Sequence, residues 1–359
     1  MKRLFFLLSF LQCSLFGLQA QTELSDYHPG MTAEGAVYFL PKTAIRVSVL
    51  VEKKVYTPGD FSNYAMRYLR LRDVAQEPST TYRVVGIQQT AVGVADTSKA
   101  YAVKFNAKTV AANLALSDDG CLLAINAQAS KTKQLTPFRA APKQKVLNPR
   151  SFMNEEILAA GSTAKMAELT ANEIYDLREN RNLLIKGQAD FMPNDAAQMK
   201  MMLDRLEQQE LAMRTLFTGT TVTDTTETVI TVVPGDSQRQ VLFRISQRLG
   251  IVDDDDLSGV PYYINVENLN ILPPVAEDPT GKSKKKQPEA GIYVNVAGRM
   301  RSTITQQDDT MLSVEEFPAG QFGHVELLSG ELFNKRYTTH LWLNPVTGAV
   351  ERLEGEQPK

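Results

Sequence analysis

The spacing of apolar side chains changes twice along the chain, and this change constrains the fold more than any other feature. Between residues 35 and 130 apolar and polar residues alternate, as from Ile45 to Val55, which is typical of strands with one buried face. Residues 154–217 are rich in Ala, Met, Leu, Glu and Arg, which favours helix, and after Gly219 the strand pattern returns. The sequence therefore predicts an α+β fold, mostly β, in which two antiparallel, sandwich-like β regions flank an inserted antiparallel helical hairpin.

The chain of 359 residues is long enough for two or three domains. We predict four segments: a signal peptide (1–20), an N-terminal β domain with one short helix (21–150), a helical hairpin (151–219) and a C-terminal β domain (220–359). The short helix is expected from Phe61 to Leu69, where apolar residues follow helical spacing. Within the C-terminal domain, residues 273–290 have the Pro, Gly and Lys content of a mobile, solvated loop.

The second predicted helix has a Met-rich apolar face that includes Met202 and Leu206. Asn194 is a suitable N-cap for this helix, and Gly219 lies just past its end. Residues 187–193 form a short link, so the two helices are expected to be antiparallel. We expect the hairpin to pack on a neighbouring sheet. An alternative remains open, in which the hairpin is a projecting arm whose Met-rich face binds a partner.

The first twenty residues have the layout of a secretory signal. Lys2 and Arg3 precede an apolar run from Leu4 to Leu11, and cleavage is expected after Ala20. A lipoprotein signal is disfavoured because Gln12, instead of a small residue, precedes the first cysteine. We therefore expect export to the periplasm or cell surface. No other apolar stretch is long enough to span a membrane. Peripheral membrane association stays open.

Charge argues against nucleic-acid binding, and cysteine content limits disulfide formation and thiol chemistry. The 39 Lys and Arg against 41 Asp and Glu give a net charge of −2, so the chain lacks the positive field that nucleic-acid binding requires. If Cys13 is removed with the signal, only Cys121 remains and no internal disulfide can form. We predict that Cys121 is a small core residue instead of a nucleophile, because no histidine lies near it in sequence.

Several motifs match chemical sites only in part. Residues 276–283 fit the permissive phosphate-binding loop, but prolines precede them and a Lys run follows, so the required strand and helix are missing. The run Asp253–Asp256 lacks the layout of a calcium loop, and we interpret it as an acidic loop tip. His28, His324 and His340 show no zinc-site spacing.

No Gly-x-Ser-x-Gly nucleophile elbow occurs in the chain. A pair of catalytic carboxylates stays open, because with 41 acids only the fold defines such a pair. We therefore predict no catalytic, cofactor-binding or metal-binding residues and no cofactor.

Aromatic residues are candidates for ligand stacking. Tyr262 and Tyr263 should point to opposite faces of a strand, so at most one is exposed. Tyr64 and Tyr68 are a second candidate pair. Trp342, the single tryptophan, lies between two leucines, and we expect it in the core.

Several stretches carry a resemblance to a known family. They are Tyr38–Arg46, Tyr56–Gly59, Tyr175–Arg181, Leu216–Gly219, Leu242–Ser246 and Leu257–Gly259. Over most of its length the chain resembles a family of exported proteins of unknown function from Bacteroidota envelopes. The resemblance implies an envelope location but brings no activity and no catalytic residues. Arg178 and Arg181, three residues apart, would share one side of a helix, where we expect ion pairing; a recognition role is the alternative.

These features favour an exported, non-catalytic envelope protein that acts through protein–protein contacts, for instance as an accessory of an outer-membrane or surface assembly. The expected partner is an envelope protein. A soluble glycan- or peptide-binding module is the alternative, and a hydrolase with a carboxylate site defined by the fold comes third.

Overall fold

The computed structural model describes residues 31–32, 35–103, 113–130, 138, 147–274, 291–333 and 338–356. These residues form mostly antiparallel sheet with a few helices, two of which make a hairpin, and they confirm the predicted fold class.

The described residues form thirteen strands and four α-helices. The strands are β1 (Met31–Thr32), β2 (Gly35–Thr57), β3 (Ser79–Val103), β4 (Leu114–Leu116), β5 (Leu122–Ile125), β6 (Thr220–Val232), β7 (Gln238–Ser246), β8 (Gly250–Val252), β9 (Val260–Asn268), β10 (Gly291–Gln306), β11 (Met311–Ser329), β12 (Thr338–Leu343) and β13 (Val350–Glu356). The helices are α1 (Ala65–Leu69), α2 (Glu155–Leu158), α3 (Thr163–Lys186) and α4 (Ala196–Thr218). Short 3-10 turns occupy Ser62–Tyr64, Pro149–Phe152 and Gly330–Phe333.

The strands form three antiparallel sheets. In the first, β2 pairs with β3 along one edge and with β1 and β6 along the other. The second has the order β11-β10-β9-β7-β8, and the third has the order β13-β12-β5-β4. The first and third sheets thus combine strands from both sides of the helical segment. The domain boundaries at residues 150 and 219 stay predictions.

The alternation in β2 builds the largest apolar core. Ile45, Val47 and Val49 are fully buried between the first and second sheets, whereas Arg46 between them is exposed. Burial of each such side chain stabilises the fold by about 1.5–3 kcal/mol. A second core, which includes Leu40 and Leu341, lies where all three sheets meet.

The free edge of β2 is completed by one side chain from the second sheet. Between its pairings with β1 and β6, the backbone N–H of Thr43 donates to Oε1 of Gln321 at 2.8 Å, and Nε2 of Gln321 donates to the Thr43 carbonyl at 2.8 Å. One amide thus replaces a neighbouring strand, which satisfies backbone groups that would be costly to bury unpaired.

Asn295 ties the three sheets together. Its side chain is buried, and Nδ2 donates to the carbonyls of Pro41 at 2.9 Å and Thr347 at 2.7 Å. Thr347 belongs to the turn between β12 and β13, and this turn is also held by Thr43, whose Oγ1 donates to the Val346 carbonyl at 3.3 Å. Oδ1 of Asn295 has no hydrogen-bond partner within the described residues.

The two long helices form the predicted hairpin. Asp195 is the N-cap of α4, since its side chain accepts a hydrogen bond from the Gln198 N–H at 2.8 Å. The predicted cap, Asn194, lies one residue too early, and its N–H donates to the Gln198 side chain at 3.2 Å. Gly219 ends α4, as expected.

The base of the hairpin packs on short helices. Ile174 of α3 and Phe217 of α4 share a third core with Phe61 and Leu69. Phe61 precedes the first 3-10 turn, and Leu69 is the last residue of α1. These elements fall within the predicted short helix. Within the described residues, the extensive contacts of the hairpin are with α1, α2 and two 3-10 turns. The expected packing on a sheet was therefore wrong, because the apolar base is covered by residues between Phe61 and Val74 and by Phe152 and Met153, none of which lies in a strand.

Candidate functional site

The distal half of the hairpin, residues 178–210, is only partly covered. Among residues 196–211 of α4 no side chain is buried, and between residues 178 and 186 of α3 only Leu184 is. Helices gain most of their stability in proteins from packing of an apolar face. The distal half thus relies on contacts between its own two helices and on Leu206, which packs at the edge of the third core.

An apolar cleft opens at this end of the hairpin. It encloses about 430 Å³, and its apolar lining includes Leu183, Leu184, Phe191, Met202 and Leu206. We call it the hairpin cleft. It lies where residues 188–191 of the link line a space shared with α3 and α4.

Exposed apolar side chains gather near the hairpin cleft. Phe191 is 66% exposed, Met201 65% and Ile185 64%. Isolated exposed apolar residues are ordinary, but a concentration of them beside a concave apolar surface is typical of interaction sites.

An ion-pair cluster closes the inner end of the distal half. Nε of Arg178 lies 2.6 Å from Oε1 of Glu210, and NH1 of Arg181 lies 3.0 Å from Oε2 of the same carboxylate. Glu210 is mostly covered, whereas each arginine is about one-third exposed. The predicted pairing role of Arg178 and Arg181 is confirmed, and the cluster holds α3 and α4 together where their apolar contacts thin out.

The rim of the hairpin cleft carries one acid and one base. Asp190 lies at the tip and Arg205 lies nearer the base, where its guanidinium is 5.3 Å from the centre of the Phe152 ring. Within the described part of the chain, neither Asp190 nor Arg205 forms an ion pair.

The hairpin and most of the sheets fall inside one family match. Residues 34–351 match the family model described as "Domain of unknown function (DUF4831)". The chain belongs to this family. The description of DUF4831 assigns no activity, so it leaves function to be argued from the site. No curated protein and no solved structure matches the chain.

In this DUF4831 protein Cys121 is a buried core residue, as predicted. Burial raises the pKa of its thiol to about 11, and the Ser117 hydroxyl, which hydrogen-bonds to the thiol, opposes that rise only in part. A thiol with so high a pKa is neutral at physiological pH and is a poor nucleophile.

The predicted polar candidates are placed apart from the hairpin cleft. The Asp253–Asp256 run lies in the turn between β8 and β9, where Asp256 accepts a hydrogen bond from the Ser258 N–H at 2.9 Å. Hydrogen bonds from Ser258 lower the pKa of Asp256. His324 and His340 lie on β11 and β12, as expected for strand-face histidines.

The two tyrosines of β9 point to opposite faces, as predicted. Tyr262 is buried, and Tyr263 is half-buried beneath the Arg239 guanidinium at 4.4 Å. Tyr64 and Tyr68 pack against the third core.

The prediction that Trp342 is a core residue was wrong. Leu341 and Leu343 face the core, so the period of two in β12 places Trp342 on the opposite face. There the Arg352 guanidinium lies 4.9 Å from its ring, and its indole N–H donates to the Gln128 carbonyl at 3.2 Å.

Some predicted features lie outside the described residues. They are the signal segment 1–20 with Cys13, His28, the formal phosphate-loop match at 276–283, and most of the 273–290 loop. Across the ranges that the structure describes, no group of three or more His, Cys, Asp or Glu is arranged to hold a metal ion. Among those same residues, no helix has the length and hydropathy needed to cross a membrane.

The residues of the hairpin cleft were only partly foreseen. Met202 and Leu206 were placed on the apolar face of the second helix, and they line the cleft. Phe191 was missed because it lies in the link between the helices. Two adjacent large apolar residues, Phe191 and Met192, in a short link between helices were the available signal.

Proposed function

We propose that this chain is an exported, non-catalytic protein of the cell envelope that acts through protein–protein contacts made by the hairpin cleft. An accessory of an outer-membrane or surface assembly is one form of this role. The observation that supports it most is the partly covered distal half of the hairpin, where an apolar cleft lies beside the exposed Phe191.

The energetics of the hairpin cleft favour a protein partner. Covering an aromatic side chain such as Phe191 contributes about 1.5–3 kcal/mol. Met202 in the cleft and Met201 beside it are unbranched, and such side chains adapt their shape to a partner. Large aromatic anchors surrounded by apolar contacts are typical of the centres of protein interfaces.

The location in the proposal is supported by the N-terminal sequence. The basic pair Lys2 and Arg3, the apolar run from Leu4 to Leu11 and the small residue Ala20 have the order of a cleaved signal.

The geometry favours the alternatives less. Sugar rings stack on open aromatic faces, yet arginines lie against the rings of Tyr263 and Trp342. For a hydrolase, titratable groups with shifted pKa values should converge in a cleft. None of the described side chains with a shifted pKa lines the hairpin cleft.

A matched pair of variants tests the proposal. Phe191→Ser removes the exposed aromatic at the hairpin cleft, and Leu257→Ser removes a side chain that is 84% exposed in the turn between β8 and β9. Tagged full-length chains are crosslinked in intact cells, purified and analysed by mass spectrometry. We expect Phe191→Ser to lower recovery of the crosslinked neighbour about tenfold, equal to about 1.4 kcal/mol, while Leu257→Ser recovers it as the wild type does. Equal recovery from both variants, or no neighbour from the wild type, would contradict the proposal.

A further inference from the structure

Strand β11 is an edge of the second sheet, and its first part is largely uncovered. Among the described residues, β11 pairs with β10 alone. Between residues 311 and 318 six side chains are exposed, whereas Ala319 and Gly320 just beyond them are buried. We call residues 311–318 the β11 edge.

The backbone of the β11 edge is suited to pairing with a further strand. Its register with β10 is regular from Ser313 to Pro318. In an antiparallel ladder every second residue turns its N–H and C=O groups away from the partner strand. The β11 edge therefore presents a row of backbone donors and acceptors, which an extended polypeptide can complete.

The pairing with β10 also fixes the face on which each side chain lies. Glu315 lies opposite the buried Ser302, and thus on the face toward the first sheet. A hydrogen bond from Nε2 of Gln89 on β3 to Oγ of Ser313, at 2.9 Å, marks the same face. Val314, between Ser313 and Glu315, lies on the opposite face and is exposed. An added strand would therefore meet an apolar side chain on one face and a carboxylate on the other.

The charge of the β11 edge selects among extended segments. Residues 306–318 contain four acids and no base. Arginines elsewhere pair with Asp309 and Glu316, whereas Asp308 and Glu315 have no ion-pair partner in the part of the chain that the structure describes. Opposite charges across two strands stabilise their pairing, and like charges destabilise it. A basic strand is thus favoured, and edge-to-edge pairing of β11 with a second copy of itself is disfavoured.

We infer that the β11 edge binds an extended, basic segment of another protein as an additional strand of the second sheet. The backbone groups select an extended polypeptide, Val314 selects an apolar residue, and Glu315 selects Lys or Arg at the neighbouring position. The β11 edge shares no residue with the hairpin cleft, so this inference goes beyond the proposed function and does not depend on it.

Binding of a designed peptide to the purified full-length chain tests the inference. The probe is a capped, fluorescently labelled peptide of about seven residues in which Val and Lys alternate, so that each type lies on one face of the extended peptide. Two control peptides have the same sequence, and one is N-methylated at every Val whereas the other is N-methylated at every Lys. Each control keeps the charge but lacks the N–H donors along one edge of the extended peptide.

Fluorescence anisotropy gives the dissociation constant of each peptide. Because an added strand pairs along one edge only, we expect one N-methylated peptide to bind as the unmodified probe does. The other should bind at least about tenfold more weakly, since it lacks several hydrogen bonds to β11.

A charge variant locates the binding on the β11 edge. Glu315→Lys should weaken binding of the unmodified probe about tenfold, because it places like charges opposite each other. Asp118→Lys makes the same change of charge at an exposed position in the turn between β4 and β5, and it should bind the probe as the wild type does. Far-ultraviolet circular dichroism of both variants should match that of the wild type.

Three results overturn the inference. They are no binding of the probe by the wild type, equal binding of the two N-methylated peptides, and equal effects of Glu315→Lys and Asp118→Lys. Light scattering of the chain without peptide addresses a second copy as the occupant. A dimer that the probe dissociates would show that a second copy covers the β11 edge, and this result also overturns the inference.

Discussion

Substitution of Asn295 tests the polar junction where the three sheets meet. In Asn295→Ala the carbonyls of Pro41 and Thr347 lose their donor, at about 1–3 kcal/mol for each buried unsatisfied group. The substitution also removes Oδ1, which lacks a partner in the described structure, and this offsets about 1–3 kcal/mol. The expected net loss of stability is therefore about 1–3 kcal/mol.

Asn295→Asp separates the lost hydrogen bonds from simple loss of packing. At neutral pH it loses both donors and places a carboxylate against two carbonyl oxygens, so it should be less stable than Asn295→Ala. Burial raises the folded-state pKa of such a carboxyl above its unfolded value, so the folded state binds the proton more tightly. The stability of this variant should thus fall as pH rises through the range above the unfolded pKa, and recover in acid.

The assay is urea unfolding followed by tryptophan fluorescence. Trp342 is the single tryptophan and lies on β12, two residues before the turn that Asn295 holds. Asn63→Ala, at an exposed position, is the control and should stay within about 0.5 kcal/mol of the wild type. The reasoning fails if Asn295→Ala also stays within that margin, or if Asn295→Asp equals Asn295→Ala at pH 7.

Three further predictions address other parts of the chain. The Cys121 thiol, whose pKa burial raises to about 11, should resist alkylation at pH 8 in the native protein and react fully in denaturant; equal rates would contradict its burial. Gly348→Ala should destabilise more than Gly187→Ala, because both glycines have φ of +71° but only at Gly348 would the added Cβ meet the Pro41 ring, at 2.7 Å. The measure is the urea midpoint, and equal midpoints would refute the predicted clash. Glu210→Gln should lower the free energy of unfolding by about 1 kcal/mol and speed amide hydrogen exchange in the distal half of the hairpin but not in the sheets. Exchange rates in the distal half that equal those of the wild type would show that the ion pairs do not hold the helices together.

Local patterns predicted the elements well. The alternation from Ile45 to Val51 identified β2, and Gly219 marked the end of α4, because each signal depends on a few neighbouring residues. The same period of two would have placed Trp342 opposite Leu341 and Leu343, and the expectation of a core role overlooked it.

Contacts between residues far apart in the sequence could not be predicted from local patterns. Pairing of β6 with β2 joins residues more than 160 positions apart, and no local signal selects that partner. The hairpin cleft was hidden for a similar reason, since its lining combines Phe191 of the link with Leu183 of α3 and Met202 of α4. No sequence pattern indicated the buried hydrogen bonds of Asn295. They depend on the turn between β12 and β13, which begins at Asn344, 49 residues later.

Site-specific photocrosslinking in intact cells tests the central claim most directly. A photoreactive phenylalanine analogue replaces Phe191 at the hairpin cleft, and in a second strain it replaces Val229, which is 52% exposed on β6. The account predicts a discrete protein adduct from position 191 that is absent at position 229. No adduct at 191, or the same adducts at both positions, would contradict the claim that the hairpin cleft is the surface through which this protein acts.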